Sequence, residues 1–504
     1  MQDVNWTALI IFILLFGFIT WLGFAAANWR KGDLDLLHEW GLGGRRFGTI
    51  VTWFLIGGDL YTAYTFIAVP ALAYAAGPVA FFALPYTIVA YPFGILVLTR
   101  FWSVASKRGY ITAADFVRDR FGDRWLELAM AVTGVIAVLP YIALQLVGMK
   151  VVFLQLGGVF AAGGGTLALA VAFVLLAAYT YTSGLRAPAL IAFIKDTLIY
   201  LTIICAVIAI THMFGGWAGI FDAAGKALAA KPKPATLLLA PGGYFAYGTL
   251  ALGSALALFI YPHSITSMLA AKSRTVVQRN MALLPIYSLM LGFLALLGYA
   301  GLAAGIKTTN PQQVVPLLFA QIFPDWFAGV AYAAIVIGAL VPAAIMAIGG
   351  ANLFASNIFR QFSSQRDALE TRTAKILTLV ICLFALLFVI FITPQYAIGF
   401  QFLGGAWILQ TFPAFVIGLF TRWFNPKALL LGWAVGIIAG TYMAIQTNFT
   451  AAFPLHLFGG TLVGYGPFYA LLLNLIVTII ATPLFNAAGS SARGSDATSI
   501  ADYA

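Results

Sequence analysis

Three ionisable residues lie deep inside apolar runs of this chain: Asp59, Lys195 and Asp196. A charge in hydrocarbon is costly, so such a residue is expected to face a cavity or a partner and to serve a function. Asp59 follows the pair Gly57-Gly58, about ten residues into an apolar stretch, which at about 1.5 Å per residue is near the middle of a bilayer. A glycine pair weakens a helix and permits local unwinding, so the break in this span is expected at Gly57-Gly58. Lys195 lies about 11 Å into its own run, too deep for its stem to carry the ammonium to the interface. A lysine held there can load and release a proton. Adjacent helical residues face each other poorly. An ion pair with Asp59 is weighed for Lys195 against pairing with Asp196 or a backbone carbonyl, Asp196 being the weaker functional candidate and a structural partner. Cys205 and Cys382 both fall in apolar runs and the four histidines are scattered, so no disulfide, metal site or cofactor is expected. An intramembrane enzyme lacks the clustered groups it would need.

The elements that must position these residues are membrane helices. Of the 504 residues 62% are hydrophobic and 9% charged, with a mean hydropathy of +0.97. Repeated apolar runs near 20 residues predict an all-α polytopic membrane protein of about 13 transmembrane helices. Most of the 27 Lys and Arg fall in every second connection, which places the N-terminus outside and the C-terminus in the cytoplasm. The net charge of +11 thus belongs to topology and implies no nucleic acid. The spans at 49–76 and 242–262 carry glycines at comparable depth, Gly57-Gly58 in one and Gly248 and Gly253-Ser254 in the other. Five spans separate them, so they enter from opposite sides, as in a 5+5 inverted-repeat transporter with a broken helix opening each repeat. The expected organisation is an extra N-terminal helix at 6–28, repeats at 49–212 and 242–420, and two extra helices within 428–485. A disordered cytoplasmic tail is expected over 486–504.

Five segments give the chain a resemblance to a known family. These are Gly43-Gly44-Arg45; Thr112 to Phe116 with Arg120-Phe121-Gly122; Ser183-Gly184-Leu185-Arg186-Ala187; Pro262-His263; and Ala270-Ala271-Lys272-Ser273. In this order they resemble the sodium:solute symporter family. The resemblance implies a LeuT-type fold with a ten-helix core at 49–420 and substrate held between the two broken helices. It also implies a sodium site built from carbonyls at the first break and a hydroxyl pair on the eighth core helix. Here Val341-Pro342 stand where that pair should be, and neither side chain offers the oxygen a hard cation needs. Lys195 appears on the fifth core helix, where the family commonly has polar residues. The sodium site therefore reads as dismantled, with Lys195 and Asp59 as proton-coupling residues. GGDLYTAYTFIAVP, LRAPALIAFIKD and LVPAAIMAI look closest to the family's monocarboxylate permease branch, which takes up lactate, pyruvate and sometimes alanine.

A small anion needs donors and a positive potential, which broken-helix N-termini supply. Gly57, Gly58, Tyr61, Thr62, Thr65, Tyr141, Gln145, Tyr247 and Ser254 are the expected substrate residues. Tyr61 with Thr65, and Tyr141 with Gln145, are i,i+4 pairs that would share a helix face. The expectation is an inner-membrane symporter for small monocarboxylates, proton-coupled or sodium-independent, with substrate, proton and bilayer as its partners. The alternative is a sodium-coupled symporter for amino acids or another small solute.

Overall fold

Apolar run length sets the helices of the computed structural model, which describes residues 4–30, 32–362, 367–391, 395–457, 459–489 and 496–503. Helix α1 (Trp6–Ala25) is capped by Asn5, whose side chain accepts from Ala8 N. Helix α2 (Leu37–Leu42) ends at Gly43, which with Gly44 has φ of 58° and 67°, the left-handed region that glycine enters freely. The first broken helix is α3 (Thr49–Leu60) and α4 (Val69–Ala76) with π-helical turns at Tyr64–Ala68 between them. There follow α5 (Ala83–Arg108), α6 (Ala113–Phe121), α7 (Arg124–Leu156), α8 (Thr166–Ser183), α9 (Arg186–Met213) and α10 (Gly216–Ala229). The second broken helix is α11 (Tyr244–Leu258) and α12 (Pro262–Leu269), bent by 49°. After it come α13 (Arg274–Leu283), α14 (Pro285–Ala303), α15 (Val314–Ile322), α16 (Asp325–Leu353), α17 (Asp367–Phe391) and α18 (Gln395–Leu409). Helices α19 (Pro426–Gln446) and α20 (Gly466–Ala487) close the chain around an antiparallel hairpin, β1 (Ala452–Leu457) and β2 (Gly460–Tyr465).

Among the described residues eleven helices are long and apolar enough to span a membrane, or twelve if the bent α11–α12 pair is one span. The thirteen read from sequence differ from this only at 49–76. There α3 is too short to span alone, and α4 continues into α5 as one run, Thr65–Arg108.

Helix α16 forms the centre and is buried along its whole apolar window. Its Gly and Ala residues let other backbones come close. A Cβ on Gly329 would sit 2.6 Å from the Ala8 carbonyl oxygen, and one on Gly349 would sit 2.8 Å from the Pro262 carbonyl carbon.

The family-like segments gather at one end of the bundle, the basic end. Phe47 N donates to Ala270 O (3.1 Å) and Lys272 N to Phe47 O (2.9 Å), joining the two Gly- and Ala-rich segments. Arg186 is fully buried and donates to Glu39 at 2.5 Å, and Leu185 N donates to Trp40 O. Thr112 and Asp115 form a capping box, and both bond Asn357. The tail departs from expectation. Residues 486–487 belong to α20, and 496–503 dock on this end, while 490–495 and 504 lie outside the described residues. Asp496 pairs with Arg120 (3.1 Å) and Arg422 (3.0 Å), and buried Tyr503 lies 4.6 Å from the Arg100 guanidinium. The polar composition that suggests disorder is here matched by arginines on α5, α6 and the α18–α19 connection.

Candidate functional site

The break in the first core helix lies at Tyr61-Thr62, not at Gly57-Gly58. Helix α3 runs unbroken through both glycines to Leu60, and Tyr61 is extended (φ −89°, ψ 93°). The glycines serve close approach instead. A Cβ on Gly57 would fall 2.2 Å from the Tyr287 ring, and one on Gly58 would fall 3.0 Å from Lys195 Nζ. In an unbroken helix Gly58 O would accept from Thr62 N. Here Thr62 N donates to Thr65 Oγ1 (2.9 Å) and Ala63 N to Gln145 Oε1 (2.8 Å). Side chains on α7 and past the break thus satisfy the freed N–H groups and leave carbonyls exposed.

Lys195 takes those carbonyls. Its Nζ donates to Gly58 O at 2.5 Å and to Tyr61 O at 3.3 Å. It also pairs with Asp196 Oδ1 at 2.9 Å, and both residues are fully buried. Of the partners weighed from the sequence, Asp196 and backbone carbonyls hold the ammonium, and no ion pair with Asp59 forms among the described residues. The long lysine stem folds back to the neighbouring carboxylate, whatever the Cβ directions. Asp196 Oδ2 accepts from Tyr287 OH at 2.8 Å. A buried ammonium with a carboxylate and two carbonyls is well compensated, which burial of a charge requires.

Val341 is fully buried in α16 and Pro342 is buried beside it. Helix α16 runs antiparallel to α9: Asn352 near its C-terminal end bonds Gly41 O, close to Glu39, the partner of Arg186 at the start of α9. A Cβ on Gly338 would touch Ile199. One turn from that contact towards the basic end lies Pro342 on α16 and Lys195 on α9. Pro342 and Lys195 are therefore at about the same level on the two helices.

Asp59 is buried on the last turn of α3 and faces the second broken helix. Its Oδ2 lies 3.4 Å from Ser264 Oγ and 3.5 Å from His263 Nε2. Its Oδ1 has no hydrogen-bond partner among the described residues, and neither has His263 Nδ1. The His263 ring contacts the rings of Tyr141 (5.4 Å) and Tyr261 (5.2 Å).

Of the expected substrate residues, Thr62, Thr65, Tyr141 and Gln145 meet around the first break. The Tyr141–Gln145 face persists on α7, with Gln145 Nε2 donating to Tyr141 O. The Tyr61–Thr65 face does not, because the break falls between them. Tyr61 instead donates to Tyr287 O (3.0 Å) and stacks within the Tyr200–Tyr287 cluster. The second break is at Phe259–Tyr261 rather than Gly253-Ser254. Gly253 packs on the Tyr465 ring, and Tyr247 lies in the first turn of α11, about 16 Å of helix from the break. Sequence reasoning did not assign roles to His263, Ser264 and Tyr287. The polar Pro262-His263-Ser264 triplet closing an apolar run is the signal that could have marked the first two.

The sequence pattern of the sodium:solute symporter family matches residues 40–436. A monocarboxylate transport permease of Rhizobium johnstonii is 51% identical, covering 96% of this chain and 98% of that protein. The uncharacterised symporter YodF of Bacillus subtilis is 33% identical, covering 95% and 94%. Among solved structures, a Na+-coupled sialic acid symporter in a substrate-bound, outward-open state matches with a TM-score of 0.78 at 16% identity, over 96% of this chain and 99% of that one. The chain belongs to the sodium:solute symporter family, as a multi-pass membrane transporter with the LeuT-type fold and not an enzyme.

Proposed function

We propose that this chain is a proton-coupled symporter for small monocarboxylates of the lactate and pyruvate class, alanine included. One observation carries the coupling: the Lys195 ammonium sits on the Gly58 and Tyr61 carbonyls at the first helix break. That position supports a tethered cation in the place where the family resemblance implies a mobile one. The monocarboxylate permease relative supports the substrate class.

In this reading the basic end faces the cytoplasm, and the repeats span 49–212 and 242–420. Lys195 as ammonium holds both carbonyls of the break and so fixes α3. The proton leaves Nζ for the cytoplasmic side through Asp196 Oδ1, 2.9 Å away, and is replaced from outside, so one proton crosses per cycle; Tyr287 steadies the carboxylate that relays it. The neutral amine holds the carbonyls less firmly, so the break loosens and the repeats can rock. Asp59, with only long contacts to Ser264 and His263, is the second proton holder. One proton with one monoanion makes transport electroneutral.

The test is uptake of labelled lactate and pyruvate into proteoliposomes. An inward proton gradient without sodium should drive accumulation, and a sodium gradient at fixed pH should not. Accumulation on sodium alone overturns the coupling reading and favours a sodium site rebuilt around Asp59.

A further inference from the structure

The segment 496–503 lies across a seam at the basic end of the bundle. On one side of the seam, α5 packs on α11, α13 and α14. On the other side, α6, α16 and α18 all pack on α7. Between α12 and that second side is a cavity of about 20 Å³, room for a single water. Thr266 of α12, Gly134 of α7, Gly349 of α16 and Thr411 line it, with Ile111 and Ala113 at the basic end. Opening this end in an alternating cycle must widen that cavity and join it to solvent. The segment bonds both sides. Asp502 pairs with Arg108 (3.1 Å), Ala501 O accepts from Lys107, and the Tyr503 ring lies over the Arg100 guanidinium, all three partners being on α5. Across the seam, Asp496 pairs with Arg120 of α6 and with Arg422 beyond α18, Thr498 O accepts from Arg422 (3.0 Å), and Ala497 N donates to Asp119 O (2.8 Å). Thr498 Oγ1 ties the two halves together, donating to Asp496 Oδ1 (2.7 Å) and lying 3.0 Å from Tyr503 OH. Arg100 also reaches across to Leu419 O (2.8 Å), beneath the buried Tyr503 ring.

We propose that the segment 496–503 is a strap that holds the basic end shut, and that release of either of its halves frees this end to open. The strap depends on neither the substrate nor the coupling ion. Its contacts are arranged in series, α5 to Asp502 and Tyr503, through Thr498, to Asp496 and the arginines of the other side. A connection in series holds only while both ends hold. Losing the α5 half and losing the Asp496 half should therefore have the same effect, and losing both should add nothing, which is the signature of coupled rather than independent contacts. The strap is also ionic, with the Arg108 and Asp502 side chains 31% and 16% exposed. Salt reaches and screens such a pair, so ionic strength on this side of the membrane sets how firmly the end is held.

The experiment follows how fast a water-soluble maleimide reaches a cysteine placed at the cavity, with the full chain in lipid nanodiscs. The reporter is Thr266→Cys with Cys205→Ser, since Cys205 is exposed and Cys382 buried. Lys107→Ala with Asp502→Ala loosens the α5 half, and Asp496→Ala with Arg422→Ala loosens the other. Each pair should speed labelling about tenfold, the product of few-fold effects from partly exposed ionic contacts. All four changes together, or a chain ending at Ser495, should label no faster than either pair. High KCl should speed the unaltered reporter protein towards the loosened variants and leave those variants unchanged. Thermal unfolding is measured alongside. Labelling that no variant changes overturns the inference, and a lower unfolding temperature with unchanged labelling assigns the segment a purely structural role. An acceleration in the combined variant equal to the product of the two halves also overturns it, because the contacts would then be independent. The labelling needs neither substrate nor gradient, so its outcome is separate from that of lactate uptake.

Discussion

Replacing Lys195 by methionine removes a charge while keeping most of the volume, and the surroundings set the cost. The ammonium is fully buried, donates to Gly58 O and Tyr61 O, and forms an ion pair with Asp196 Oδ1 at 2.9 Å. Without it, Asp196 keeps only the Tyr287 hydroxyl, and two carbonyls of the break lose their donor. Breaking a buried pair by removing one partner costs about 3–5 kcal/mol, mainly from the charge left behind. Removing that charge as well should undo most of the loss, so Lys195→Met with Asp196→Asn should be closer to wild type than Lys195→Met alone. The stability assay is thermal unfolding of the purified protein in detergent, by intrinsic fluorescence. The transport assay is lactate uptake with and without a proton gradient. Lys195→Met should unfold well below wild type, the double variant should recover more than half the difference, and neither should concentrate lactate on a proton gradient. A single variant as stable as wild type, or a double variant no better than the single, would refute a buried charge pair at this position. Unchanged gradient-driven accumulation by either variant would refute the coupling role.

Gly57→Ala should be far more damaging than Gly58→Ala. The first Cβ would fall 2.2 Å from a buried tyrosine ring pinned by Asp196, while the second would fall only 3.0 Å from Lys195 Nζ, a smaller overlap; transport activity and yield of monodisperse protein report the order. Gln145→Leu leaves Ala63 N without its acceptor, a loss of about 1–3 kcal/mol at the break. It should lower the unfolding temperature and raise the lactate KM. Arg120→Ala removes the bond to Gly418 O, the ion pair with Asp496 and the contact with Tyr503. Limited proteolysis should then cut the segment 496–503 faster, with the transmembrane core still intact. Combining Lys195→Ala, which vacates two carbonyls of the break, with Val341→Ser and Pro342→Ser restores the hydroxyl pair the family resemblance implies, and sodium should then protect the protein against thermal unfolding where it leaves the wild type unaffected.

The spans were legible because run length is a one-dimensional property, and two broken helices were legible because each interrupts such a run. Where each helix breaks was not. Gly57-Gly58 looks like a weak point in the chain, yet its missing side chains accommodate Tyr287 and Lys195, residues more than a hundred positions away. The true break depends on Gln145 and Thr65 taking over backbone N–H groups, which spacing along α3 alone cannot reveal. Lys195 stood out by depth, and Asp196 and a carbonyl stood among its possible partners, but spacing could not choose between them and Asp59. Helical geometry places neighbouring Cβ atoms apart and says little about where a four-carbon stem ends. His263 was visible as a motif residue, and only the fold sets it beside Asp59. The tail misled for a related reason, since its polar residues are matched by arginines contributed from distant helices.

The adjacency of Lys195 and Asp196 also bears on how the protein is made. Helix α9 must enter the bilayer during synthesis, before α3 and α14 are arranged around it. Each of these charges alone, near a helix centre, would add about 2.5–3.5 kcal/mol to insertion. Being neighbours, they can neutralise each other on the nascent segment, so the helix crosses as an almost uncharged unit. Losing Asp196 alone would then lower the amount of protein inserted, before any transport cycle is possible. Evolution would be expected to gain or discard the two residues as a unit.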